Sequence, residues 1–153
     1  MRKLFMFLSL VLFLFFVTCA YADEDEPAFV QQKNLGRDRE GLQWWLTEFG
    51  TASSGYYAVA REYYTNEDVK ADTVNALSSR YGVPYERAEA IYFAEYRFEY
   101  TSDGGQCAEI SRVFYDMLGE EVCGYRTGHK VFNPITSNTV QSKGAAYAMG
   151  KIK

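Results

Sequence analysis

Glu95-Tyr96-Arg97-Phe98-Glu99-Tyr100 is the stretch on which the fold turns. It alternates strictly between charged and aromatic residues, which is the period of a strand with one buried face. The residues before it read differently. Pro84 stands at a position a helix tolerates, the first one, and Tyr85, Ala88, Ile91, Tyr92 and Glu95 continue a helical repeat. Either the helix runs on through this stretch, or it yields to an extended segment near Ala94.

On the N-terminal side the helical reading gathers support. Leu42, Trp45, Leu46 and Phe49 fall at i, i+3, i+4 and i+7 and are ended by Gly50, which predicts a short amphipathic helix. After a Ser53-Ser54-Gly55 turn, Tyr56, Val59, Ala60, Tyr63 and Tyr64 make a second helical face. Thr65 with Asp68 resembles a capping box, and Val69, Thr73, Ala76, Leu77 and Arg80 then share one side of a third helix before Gly82.

On the C-terminal side, residues 101–105 form a Thr-Ser-Asp-Gly-Gly turn. Cys107, Ile110, Phe114, Met117 and Leu118 then share a helical face closed by Gly119. Beyond Glu121 the texture changes. Residues 122–133 are rich in β-branched and aromatic types around Thr127-Gly128, which predicts a hairpin whose second strand stops at Pro134. Residues 139–141 read as a third short strand, and 144–153 are weakly patterned. The expected fold class is α+β, mostly α: four or five short helices followed by a small C-terminal antiparallel β hairpin.

The first 22 residues read as a signal peptide. Arg2 and Lys3 precede an apolar run from Leu4 to Val17, and Ala20-Tyr21-Ala22 supplies the small residues of a cleavage site. That run is too short for a membrane span, which needs roughly 20 residues, and no Lys or Arg stop-transfer signal follows it. Cys19 lacks the small residues that precede a lipid-bearing cysteine, so cleavage after Ala22 and export to the periplasm or medium are expected. Residues 23–40, broken by Pro27 and Gly36, read as an extended or disordered lead-in, and 41–153 as a single globular domain.

Without Arg2 and Lys3 the chain carries 14 Lys or Arg against 20 Asp or Glu, a net charge of −6. The charge is unevenly placed: no acid follows Glu121, while Arg126, Lys130, Lys143, Lys151 and Lys153 do. An acidic exported chain excludes nucleic acid as a natural partner. It suits a protein partner, a cationic one in particular. Trp44-Trp45, Tyr56-Tyr57 and Tyr63-Tyr64 place aromatics on both sides of their elements, so one member of each pair is left for a binding surface or a homodimer interface. Trp44, Tyr57, Tyr64, Glu95 and Glu99 are the expected surface residues.

Cys107 and Cys123 are the first candidates for chemistry. In an oxidising compartment such a pair is most simply a disulfide. A helix from Cys107 to Leu118 would rise about 16 Å, and the chain from Gly119 to Cys123 can return at most about 17 Å, so the bridge is only just reachable. The other reading makes Cys107 a nucleophile. Gly104-Gly105-Gln106-Cys107, the amphipathic run after it, Gly124-Tyr125 and His129 resemble a compressed version of the transglutaminase-like cysteine hydrolases. The resemblance covers about 30 residues and implies a nucleophile at Cys107, opening a helix, and a base at His129 on a following strand. With no acid after Glu121 to orient His129, Asn133 or Asn138 would take that place.

His129 is the only histidine, so no histidine cluster for zinc exists, and neither a metal nor a cofactor is expected. Three readings of function result. The leading one is a small exported helical binding module, of the inhibitor or immunity type, that engages another protein. The second is a cysteine hydrolase or amidase built on Cys107 and His129. The third is an envelope structural or accessory protein.

Overall fold

The computed structural model describes residues 32–151. The expected leader, its expected cleavage site after Ala22 and Cys19 lie outside the described residues. Seven strands and three helices follow in the order β1 (Lys33–Arg37), β2 (Gln43–Ala52), β3 (Gly55–Tyr63), α1 (Glu67–Tyr81), α2 (Tyr85–Glu89), β4 (Phe93–Thr101), β5 (Gln106–Tyr115), β6 (Glu121–Arg126), β7 (Asn133–Pro134) and α3 (Val140–Ala148). The strands form one curled antiparallel sheet in the order β1-β2-β3-β4-β5-β6, with β7 continuing the edge beside β5.

The mostly helical expectation is therefore overturned, and the reason lies in the bulges. Leu42, just before β2, and Trp44 and Leu46 on it alternate inward in the ordinary way, but the register with β3 slips between Leu46 and Glu48. An extra residue in one strand shifts the side chains beyond it to the other face. Adding Trp45, which points away from the core, turns a broken alternation into an apparent i, i+3, i+4, i+7 stripe. On β3 the inward residues are Ala58, Ala60 and Glu62, followed by Tyr64; small alanines and a glutamate mask a two-residue period. The stretch from Cys107 to Tyr115 lies on β5 and Met117-Leu118 in the turn after it, and a second slip opposite Arg97 and Phe98 again imitates a helical period. The strand reading of Glu95–Tyr100 is correct: it lies at the centre of β4, with Tyr96, Phe98 and Tyr100 inward.

The third expected helix is present as α1. Asn66, one residue after Thr65, is its cap: Oδ1 accepts from the N–H of Asp68 at 3.1 Å and of Val69 at 3.4 Å. Gly82 ends it with φ 68°, a left-handed conformation that glycine adopts without strain. The helix after Pro84 is a single turn, α2. Two other corrections concern the C-terminal segment. Residues 122–133 do not close a local hairpin, since β6 pairs with β5 at Ser111–Tyr115 while β7 pairs with β5 at Gln106 and Cys107. Residues 139–141, expected as a strand, open α3, where Thr139 and Ser142 form a capping box. Lys33–Arg37, inside the expected lead-in, is the outer strand β1.

All three helices supply side chains to a single buried cluster: Val74, Leu77, Ala88, Val140 and Ala145 join Trp44, Leu46, Tyr96, Phe98 and Phe114 of the sheet. Helix α3 packs on β1, β2 and β3. Gly144 allows the closest approach, because a Cβ there would lie 2.7 Å from the Tyr100 hydroxyl. The sheet thus has a packed face and an opposite face on which charged side chains alternate with aromatics.

Candidate functional site

Antiparallel pairing sets the open face. Val59 stands beside Arg97, and Arg61 beside Glu95 and then Val113. Because side chains alternate across a strand, Tyr57, Val59, Arg61, Phe93, Glu95, Arg97, Glu99, Ser111, Val113 and Tyr115 share this face. Thr47, Glu48, Arg61, Glu95, Arg97, Ser111, Tyr115 and Arg126 line a groove of about 360 Å³ across it, with Val59 and Val113 at its floor.

The charges along the groove are ordered. Arg61 Nε donates to Glu95 Oε2 at 2.9 Å and its guanidinium lies 4.8 Å from the Phe93 ring centre. Arg97 stacks at 4.1 Å over Tyr57, whose hydroxyl donates to Glu48 at 2.5 Å. Such stacking fixes a guanidinium while leaving its N–H edges available. Glu99 accepts from Lys130 Nζ and Ser54 Oγ, each at 2.7 Å. Burial alone would raise the Glu99 carboxyl, but these two donors outweigh it and hold it below the ordinary value. The face is a fixed array of both signs, and among the described residues Arg97 has no carboxylate within salt-bridge distance.

A second constellation is enclosed on the packed face. Glu62 Oε2 accepts from the hydroxyls of Tyr96 at 2.6 Å and Tyr64 at 3.0 Å. Trp44 lies 4.7 Å from Tyr96, ring to ring, and its Nε1 donates to Asp38 Oδ2 at 2.8 Å. The Arg112 guanidinium lies 4.6 Å from the Tyr96 ring centre and forks onto both oxygens of Glu109, at 3.0 and 3.1 Å, where the Tyr125 hydroxyl also donates. Burial pushes the Glu62 carboxyl up to about 7, against the two tyrosine hydroxyls that favour its charged form, and nearby Asp38 adds to the rise. This is a polar seam that runs from the β1–β2 loop through β2, β3, β4 and β5 to Tyr125 of β6.

The expected surface residues divide between the two constellations. Tyr57, Glu95 and Glu99 belong to the open face, while Trp44 and Tyr64 are buried in the core. Arg61, Arg97, Arg126 and Glu48 were not singled out by the sequence, although the alternation of Glu95, Arg97 and Glu99 with aromatics was there to mark them.

The expected Cys107–Cys123 bridge is absent: both thiols are free. Cys123 stands opposite Phe114, whereas Cys107 lies seven residues back along β5 and pairs with Tyr100. At roughly 3.3 Å per residue the two are about 20 Å apart, far beyond the ~7 Å that a disulfide spans between Cα atoms. Cys107 opens no helix either. It is the second residue of β5, where burial and then Glu109 push its thiol up, the opposite of thiolate activation. Asn133 is its cross-strand neighbour on β7. His129 lies in the exposed loop before it, its N–H bonded to Thr127 Oγ1.

Among the described residues no group of three or more His, Cys, Asp or Glu is placed to hold a metal ion, and no helix is long and apolar enough to cross a membrane. The fold and face define a class: a one-sheet antiparallel meander, helix-packed on one side and carrying an ordered charged and aromatic array on the other. No protein-family model, curated protein or solved structure matches the chain.

Proposed function

We propose that this chain is a small exported binding module that engages another protein through the open face of its sheet. The observation that supports this is the array across β2–β5: side chains held in place by one another, surrounding a groove, with Arg97 stacked and, among the described residues, short of a carboxylate partner. Rigid Tyr and Arg side chains in a pre-ordered surface are the usual energetic centres of protein interfaces, because little conformational freedom is lost on binding. The face carries Glu48 and Glu95 beside Arg61, Arg97 and Arg126. Mixed signs favour a protein surface of complementary pattern over a uniformly cationic partner.

Capture from the envelope and medium of the producing cell tests this. The bait is used as wild type, as Ser111→Glu, which fills the groove, as Arg97→Gln, and as Lys70→Glu on α1. A partner retained by wild type and Lys70→Glu but lost with both groove variants is the expected result. Retention by the groove variants would place recognition elsewhere.

A further inference from the structure

The two outer strands are finished differently. Along β1, Lys143 Nζ of α3 donates to the Leu35 carbonyl at 2.6 Å, Asn34 Oδ1 takes the Gly36 N–H at 2.7 Å, and Gln43 Nε2 reaches the Gly36 carbonyl at 3.1 Å. Side chains thereby occupy the backbone groups of that edge, a common guard against strand addition. On β6 the described residues do this only at the first position, where Arg87 Nη2 donates to the Glu121 carbonyl at 3.1 Å.

The phase of the ladder shows which β6 groups are left over. Thr127 N–H donates to the Ile110 carbonyl at 2.8 Å, in register with the Ser111–Arg126 and Arg112–Tyr125 pairs. Hydrogen-bonded and non-hydrogen-bonded pairs alternate in an antiparallel ladder. Tyr125 therefore bonds inward to Arg112, and the N–H and C=O of Gly124 and Arg126 point outward. Tyr125, 47% exposed, stands between them.

We propose that β6 pairs with β6 of a second copy of this chain, antiparallel about Tyr125, with Gly124 of each copy opposite Arg126 of the other. Three features select a second copy as the occupant. The two outward residues flank Tyr125 symmetrically, so a two-fold axis through that residue gives every outward donor an acceptor and brings the two tyrosine rings together in the closer type of pair. The strand carries one acid, Glu121, and one base, Arg126, already paired at 3.3 Å, so the acidic chain meets itself at a neutral edge. The same register carries the Met117-Leu118 turn of each copy toward Val131 of the other. These residues are 75, 82 and 68% exposed and have no packing role within one copy. Arg126 also lines the groove, so the pairing sets two grooves side by side on one continuous face. The dimer does not depend on what that face binds.

Sedimentation velocity on the protein as processed by its own cell, at concentrations up to about 100 μM, gives the test. Wild type and Arg126→Ala, which keeps the backbone N–H, sediment as dimers. Arg126→Pro removes an outward N–H without touching the inward ladder and sediments as a monomer with an unchanged circular dichroism spectrum. If that variant fails to fold, hydrogen exchange on wild type decides: the Gly124 and Arg126 amides are protected at high protein concentration and exchange freely on dilution. A wild-type monomer throughout, a dimer indifferent to Arg126→Pro, or fast exchange at every concentration overturns the proposal.

Discussion

Replacing Glu62 by Gln changes the charge of the core without emptying it. The residue is 6% exposed, its carboxylate accepts from Tyr96 and Tyr64, and among the described residues no cation is paired with it. Its folded value of about 7 stands against an ordinary 4.5. A carboxyl raised in this way binds its proton more tightly in the folded state. It therefore costs nothing below the ordinary value, loses stability as pH climbs through the window from 4.5 to 7, and carries its full penalty above it, about 3 kcal/mol at roughly 1.4 per pH unit. Gln keeps an acceptor for the tyrosines and cannot ionise. The assay is urea unfolding followed by the fluorescence of Trp44 and Trp45 at pH 5 and pH 8. Other titrating groups, Glu99 included, cancel in the difference between wild type and variant. That difference should move in favour of Gln by about 2 to 3 kcal/mol between the two pH values. A difference that does not change with pH would refute the reasoning, because it would mean that Glu62 stays charged throughout.

Other consequences are equally specific. Tyr100 is fully buried and its hydroxyl has no partner among the described residues. Tyr100→Phe should therefore be neutral or stabilising by up to about 1 kcal/mol in thermal unfolding, while Gly144→Ala costs about 1 to 3 kcal/mol through overpacking and costs less in the Tyr100→Phe background. Lys130→Ala leaves Glu99 with Ser54 alone, so the acid-unfolding midpoint should rise, reporting the loss of a donor that holds its carboxyl low. Cys107 and Cys123 should each take an alkylating label in denaturant without prior reduction. A single mass corresponding to a bridged pair would contradict the strand register.

What could be read from the chain and what could not has a local cause. The alternation at Glu95–Tyr100 carried the period of the central strand, but the helical repeat running into it from Pro84 left helix and strand both open. Helix α1 was legible because its cap, its repeat and Gly82 agree. Strands β2 and β5 were misread because a bulge in each of their ladders, near Thr47 and near Ile110, converts a two-residue period into one that passes for helical. Once Cys107 was placed on a helix, a short return to Cys123 looked feasible. On a strand it is not. The Glu62 seam joins the β1–β2 loop, β3 and β4, which pair through contacts between residues far apart in sequence, and no short-range pattern carries that information.

Crosslinking from defined positions tests recognition by the open face most directly. A photoreactive phenylalanine analogue is placed at Tyr57, beside Arg97 on the open face, or at Asn75, exposed on α1, and the producing cells are irradiated. The expected result is a discrete adduct with another protein from position 57 and none from position 75. Adducts from position 75 alone would contradict it and assign recognition to the helical side.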